Sequence, residues 1–291
     1  MADRQPDIPR AWSRLELAHL RGTLMVIGAP DTGKSTFAQY LYRQLCAESC
    51  CVAYLDGDPG QSTLGPPTTM SLAFGTSGDT AFPPRGKTWR RFVGAVMPRG
   101  HMLPVLVGAT RLVQAAQAHG ADALIYDTSG LVSPAEGGLN LKLSKIDLLR
   151  PSVVFAIQRE QELEPLLTPL RLSRRVRVVD LRPSLSIQPR NTLTRQAYRA
   201  SQFARYLHAA HPLTVDWERL AVVPSPSFVF HQLAALEDAD GFTLGLGIVQ
   251  AADLRKKQIE LLTPKSLDGV DTLRLGDLTL DPQTFRDQPL T

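Results

Sequence analysis

Cysteine is nearly missing from the chain: three in 291 residues, and Cys46, Cys50 and Cys51 fall within six positions of one another. An odd count, with two adjacent and none at a zinc-ligand spacing, argues against a disulfide framework and fits a reducing cytoplasm. No apolar run approaches the ~18 residues a membrane helix needs. The first twenty residues, MADRQPDIPRAWSRLELAHL, lack the apolar centre of a secretory signal. The six histidines show no metal spacing with one another or with cysteine. Lysine is scarce as well, at 7 residues against 25 arginines. What is present is ordinary for a globular chain: 43% apolar and 21% charged residues.

The net charge of +4 is mild, but its distribution is uneven. Arg150 to Arg205 holds eleven arginines, no lysine and four acids, so this segment carries +7 and the remainder −3. A GC-rich genome that spells lysine as arginine, with the charges on solvated helix faces, is one reading of the ratio. The clustering suits bidentate phosphate contacts.

The first 210 residues alternate short β-rich runs with amphipathic stretches of helical length, the pattern of an α/β fold with a mainly parallel sheet. Strands are expected at 24–27, 52–55, 92–96, 123–126, 153–157 and 176–181, and helices at 34–47, 103–119, 139–148 and 194–207. Two polar, Gly/Pro-rich stretches, 63–87 and 129–138, read as long loops of the kind that border a site. Beyond residue 211 only short β-rich runs remain, at 222–223, 228–230, 244–250, 259–262 and 272–275, so residues 211–291 form a small all-β domain in this reading. Trp12 and Trp217 read as packing residues. Trp89 is either another or part of an acceptor groove.

Gly28-Ala29-Pro30-Asp31-Thr32-Gly33-Lys34-Ser35-Thr36 matches G-x-x-x-x-G-K-[ST] between an apolar strand and a helix. The spacing has a chemical reason. A glycine-rich turn aims successive backbone N–H groups at a β-phosphate at the positive end of the following helix. Lys34 then bridges the β- and γ-phosphates, and Ser35 holds Mg²⁺. The chain therefore binds a nucleoside triphosphate.

Other elements gather around that loop. Asp56 and Asp58 leave the end of the second strand, where one carboxylate can hold a Mg²⁺-bound water and the other can take a proton from an attacking hydroxyl. The turn Thr128-Ser129-Gly130 leaves a later strand and can point amides at the γ-phosphate or the acceptor; Asp127 before it is a metal ligand or a turn cap. A Pro/Ser loop then leads through Arg190 into a helix bearing Arg195 and Arg199 on one face, capped by Thr192 or Thr194. Arginines over a triphosphate cancel charge that develops in phosphoryl transfer.

In this order the motifs resemble the polynucleotide 5′-hydroxyl kinases of RNA processing, which include the kinase subunit of the mRNA cleavage and polyadenylation factor. The resemblance rests on the P-loop with Asp31 at its fourth position and on D-x-D-x-G-Q at Asp56–Gln61. It rests also on T-x-G at Thr128–Gly130 and on two lid arginines five apart, Arg190 and Arg195. It implies a P-loop kinase domain over residues 1–210, with a lid at about 182–208, using ATP and Mg²⁺. It further implies that Ser35, Asp56 and Asp58 serve the metal, with Asp58 the preferred general base. By the same resemblance Gln61 positions metal water or acceptor, Arg190 and Arg195 clamp the transferring phosphoryl group, and the partner is a nucleic acid with a 5′-hydroxyl end, RNA before DNA. Where the family usually carries Trp after the T-x-G turn this chain has Leu131, so base stacking is not implied there. Read without the resemblance, the residues also leave open an ATP-binding adaptor and, less well, a GTPase, for which no N-K-x-D-type guanine reader follows the fifth strand.

Overall fold

The computed structural model describes residues 8–290 apart from 18, 49, 50, 76, 77 and 185, so Cys50 lies outside the described residues. The chain forms two compact units. The first comprises residues 1–58, 71–88 and 98–190, and the second 59–70, 89–97 and 191–291.

The first unit is an α/β sandwich. The sheet comprises β1 (Gly22–Gly28), β2 (Val52–Gly57), β3 (Thr69–Phe74), β4 (Thr88–Phe92), β5 (Ala123–Thr128), β6 (Val153–Ile157) and β7 (Arg177–Leu181), in the order β4-β3-β2-β5-β1-β6-β7, with most of β4 and the first two residues of β3 grouped in the second unit. Strands β2, β5, β1, β6 and β7 run parallel, while β3 is antiparallel to β2. Strands covered on both faces need apolar side chains at every position rather than alternate ones. Leu24 to Ile27 meet that need and are fully buried. The helices α2 (Lys34–Ala47), α3 (Met102–Ala118) and α4 (Gly138–Leu149) follow β1, β4 and β5. The parallel arrangement brings the C-terminal ends of β1, β2, β5 and β6 together, the place where such sheets hold ligands.

The sequence reading misplaces several elements. β3 lies inside the expected loop 63–87, because Thr-Met-Ser-Leu-Ala-Phe signals its full burial only weakly. The helix α5 (Glu164–Ser173) was not expected; it carries Pro165 in its first turn and Pro169 within. The strand expected at 92–96 lies earlier, as β4, because Gly94 turns the backbone into the left-handed region at φ +83°.

The second unit contains α6 (Thr192–Leu207) and a sheet of β8 (His211–Asp216), β10 (Gln232–Glu237), β11 (Thr243–Asp253), β12 (Gln258–Thr263), β13 (Thr272–Leu280) and β14 (Asp287–Pro289). Their order is β14-β13-β10-β11-β12-β8, and β9 (Ala221–Val223) pairs with β13. α6, which the sequence places in the domain ending at residue 210, groups with this second sheet. The reason is packing: Phe203 and Leu207 of α6 are buried with Leu233, Leu246, Ile248 and Leu280 in one apolar cluster, and the Leu246 N–H donates to the Tyr206 hydroxyl at 2.9 Å. The cap of α6 is Asn191, whose Oδ1 accepts from the Thr194 N–H at 2.8 Å, in place of either threonine. The expected lid thus straddles the boundary. Arg190 closes the first unit, and Arg195 lies in the first turn of α6 in the second.

Candidate active site

The loop Ala29–Gly33 leaves the end of β1 and delivers Lys34, Ser35 and Thr36 into the first turn of α2. Gly33, the residue before the helix, has φ +87°, a conformation that costs a side-chain-bearing residue strain. The Thr32 hydroxyl and Lys34 Nζ both donate to the Ala29 carbonyl, at 2.9 and 2.7 Å, and Lys34 is buried among its own loop. Asp31, also at positive φ, turns its carboxylate toward Arg190. Its Oδ2 accepts from the Arg190 N–H at 3.0 Å, and its Oδ1 lies 3.5 Å from Arg190 Nε. One of the two expected lid arginines is therefore held at the P-loop. Trp12 is fully buried, edge-on to Phe37 of α2, as expected of a packing residue.

Register places the carboxylates. Asp56 pairs with Asp127 across β2 and β5, and Asp127 with Val26 across β5 and β1, so both acids sit one strand or two from the P-loop strand. Asp56 is buried, and its Oδ1 accepts from the Asp58 N–H at 3.3 Å, bending the chain so that Asp58 is only half-buried. Asp127, which the sequence left as a metal ligand or a cap, is the stronger feature. The Tyr54 hydroxyl donates to its Oδ2 at 3.2 Å. Burial, with the Asp56 charge beside it, pushes its carboxyl up to about 7, against a hydrogen bond from Ser35 and the charge of Lys34.

Of the residues expected to meet the acceptor, Thr128 and Arg199 are engaged elsewhere. Thr128 is buried, donating to the Val26 carbonyl at 2.8 Å while accepting from Lys142 Nζ at 2.8 Å. Gly130 is a packing requirement: a Cβ there would lie 2.9 Å from the Pro30 nitrogen, so the turn rests directly on the P-loop backbone. Gln61 falls in the second unit, its Nε2 donating to the Gly60 carbonyl at 2.8 Å. The neighbouring Ser62 carbonyl accepts from the Tyr198 hydroxyl of α6 at 2.9 Å.

Arg199, expected on the lid helix as a substrate contact, forms a two-pronged ion pair with Asp287, Nε to Oδ1 at 2.9 Å and Nη2 to Oδ2 at 3.0 Å. Both side chains are largely buried, at 14% and 5% exposure, so losing one partner strands the other. Arg199→Met is expected to cost about 3–5 kcal/mol in denaturant unfolding, most of it recovered in the double variant Arg199→Met/Asp287→Leu. Equal losses in single and double variants would remove the pairing as the cause.

Three basic residues near the site escaped the sequence reading. Arg159, just past β6, directs its guanidinium to the Pro30 and Asp31 carbonyls of the P-loop. Lys142 and Lys145 project from α4, both fully buried. Lys145 Nζ lies 5.0 Å from the Tyr126 ring centroid and has no hydrogen-bond partner among the described residues. Burial lowers its pKa to about 7, opposed by the charge of Asp58. A folded-state value below the unfolded one makes native stability rise with pH between about 7 and the ordinary lysine range. Lys145→Met is therefore expected to raise Tm most at pH 6.5, and the gain to shrink by pH 9.5. A gain that grows with pH would contradict the assignment. The signal for these lysines was their i, i+3 spacing on a helix face shared with Leu139 and Ile146.

The chain matches the P-loop family model of the mRNA cleavage and polyadenylation factor CLP1 over residues 28–209. It is 25% identical over 333 aligned positions to a polyribonucleotide 5′-hydroxyl-kinase of Pyrococcus abyssi, covering 93% of this chain and 92% of that one. A polyribonucleotide 5′-hydroxyl-kinase of Pyrococcus horikoshii is 26% identical over 87% of this chain and 84% of its own length. The solved structure of a wild-type Clp1p–Pcf11p complex superposes with a TM-score of 0.67 at 12% identity, covering 92% of this chain and 77% of that one. With a match that spans more than half its length and the P-loop expected of it, this chain belongs to the CLP1 P-loop family.

Proposed function

We propose that this protein is an ATP-dependent polynucleotide 5′-hydroxyl kinase that transfers the γ-phosphate to the 5′-hydroxyl of RNA. The observation that carries the reading is the row Asp56–Asp127 in register beside the P-loop strand, with half-buried Asp58 just beyond it. A nucleotide-binding loop alone holds a triphosphate. A carboxylate placed past the buried pair adds a group able to accept a proton from a hydroxyl. The archaeal relatives, similar over most of the chain, bear the name of that activity with RNA as acceptor. Nothing at the end of β6 supports a guanine reader: Gln158 Nε2 donates to Glu164 Oε1 at 2.7 Å, and its Oε1 accepts from the Leu163 N–H.

The donor set fits Mg²⁺. Asp127 Oδ1 is a buried carboxylate oxygen with no hydrogen-bond partner among the described residues, and the Ser35 hydroxyl bonds to the same carboxylate. No group of three or more His, Cys, Asp or Glu able to hold a metal occurs among the described residues. Mg²⁺ bound with phosphate oxygens and water needs only one or two carboxylates. Ser35, Asp56 and Asp127 would hold it, and when bound it would supply charge neutralisation to the triphosphate. Lys34 swings from the Ala29 carbonyl to the phosphates, and the P-loop N–H groups hold the β-phosphate. Asp58 receives the proton of the 5′-hydroxyl as its oxygen approaches phosphorus in line with the leaving oxygen. Arg190, delivered to the P-loop by Asp31, offers its guanidinium to the transferring group, and Arg195 is proposed as its partner in that role.

An acceptor panel tests the reading. RNA and DNA oligonucleotides, each with a 5′-hydroxyl or a 5′-phosphate, are incubated with γ-labelled ATP and Mg²⁺. Label is expected on 5′-hydroxyl RNA and not on 5′-phosphorylated RNA. Label on none of the four, with folded protein, would sink the proposal.

A further inference from the structure

Burying a lysine without a carboxylate partner costs several kcal/mol, and Lys142 and Lys145, one turn apart on α4, are both fully buried. Their chemistry is directed at the site. Lys142 Nζ donates to Thr128 Oγ1 at 2.8 Å and to the Ser129 carbonyl, and Thr128 Oγ1 donates onward to the Val26 carbonyl of β1 at 2.8 Å. A relay of hydrogen bonds thus runs from α4 through the Thr128–Gly130 turn to the strand that feeds the P-loop. Lys145 reaches the neighbouring turn. Its Nζ lies over the Tyr126 ring, and the same ring packs directly on Gly57, between Asp56 and Asp58. Both lysines feel the charge of Asp58. One helix face therefore braces the two turns that the proposed reaction must align to within a fraction of an ångström.

We propose that Lys142 and Lys145 are positioning residues for phosphoryl transfer, Lys142 fixing the Thr128–Gly130 turn against the P-loop strand and Lys145 backing the Asp56–Asp58 turn through Tyr126. The inference rests on the kinase reading for its kinetic consequence, but not for its structural one. Neither lysine touches solvent, so neither is a substrate contact in this arrangement.

The test uses the full chain with Lys142→Met, which keeps the buried volume and removes both donated bonds. Lys142→Gln, whose amide can donate to the same oxygens, is the companion. Lys142→Met is expected to lower kcat for transfer to 5′-hydroxyl RNA by about 10- to 100-fold, with KM for ATP within about twofold. Its Tm is expected to hold or rise, because an apolar chain replaces a buried polar one. Amide exchange at Thr128–Leu131 is expected to speed up while the P-loop amides stay protected, and Lys142→Gln is expected to recover part of kcat. An unchanged kcat in folded protein would overturn the inference. So would a loss of kcat that only tracks a fall in Tm and a rise in KM for ATP, which marks a merely structural role. If Lys142→Met does not fold, the same readings on Lys142→Gln decide. Should the wild type itself transfer no phosphate, the kinase reading falls, and exchange at 128–131 alone judges the brace: unchanged exchange refutes it.

Discussion

Lys34→Met is expected to reduce phosphate transfer by about 10³-fold or more while leaving the fold intact, because the ammonium removed is the P-loop's own cation for the charge that moves from the γ- to the β-phosphate side. Lys34 emerges from the first turn of α2 directly after Gly33, and its Nζ donates to the Ala29 carbonyl of its own loop at 2.7 Å. A cation bonded within its own loop can exchange that oxygen for phosphate oxygens, and its loss removes little from the apolar core. Tm is therefore expected to move by a few degrees at most. This outcome separates transfer from a purely structural use of the nucleotide. An adaptor that keeps ATP as a prop predicts the opposite, with pronounced destabilisation and no activity to lose. Kinetics and calorimetry on one variant check both.

Asp58→Asn carries the second large effect, a loss of about 10²- to 10⁴-fold in kcat with KM for ATP little changed. Three carboxylates lie at the ends of β2 and β5, and their environments assign their tasks. Asp56 and Asp127 are buried, at 2% and 3% exposure, where no acceptor hydroxyl reaches them without displacing the strands. Asp58 stands two residues further out, half-buried, and the Asp56 carboxylate receives its backbone N–H at 3.3 Å. A base must reach the proton it takes, and Asp58 is the one of the three on the open side. Asp56→Asn and Asp127→Asn are expected to act through the metal instead, raising the Mg²⁺ concentration needed for half-maximal rate. A smaller kcat loss at Asp58 than at Asp127 under saturating Mg²⁺ would reverse the assignment.

The P-loop and the Asp56–Asp58 turn were legible in the sequence because their chemistry is local. Glycine, lysine and serine at fixed offsets, or two acids at a strand end, carry their meaning within a few residues. The second sheet was legible in part: the runs at 222–223, 244–250, 259–262 and 272–275 fall in β9, β11, β12 and β13, whereas 228–230 is no strand and β8 and β10 were not expected; α2 ends where its pattern ends, at Ala47. What escaped depends on distance. Asp127 read equally as a metal ligand or a turn cap until register set it beside Asp56 and Val26. Arg199 looked like a substrate contact because helical spacing puts it with Arg195; only the fold supplies Asp287, 88 positions away, as its partner. The buried lysines of α4 contradict the usual surface preference of lysine, so a pattern reading places them in solvent. The +7 segment survives in part: Arg159 and Arg190 do reach the P-loop, while Arg171 is spent on Glu164 and Asp180.

The most direct test of the account is a stoichiometry. Wild-type protein is given γ-labelled ATP, Mg²⁺ and a 5′-hydroxyl oligoribonucleotide, and ADP and end-labelled RNA are measured in the same reaction. A kinase built around Lys34, Asp58 and a P-loop bearing Arg190 yields one 5′-phosphate for each ADP and consumes little ATP without acceptor. ADP released at the same rate with and without RNA, with the RNA ends unlabelled, would contradict it.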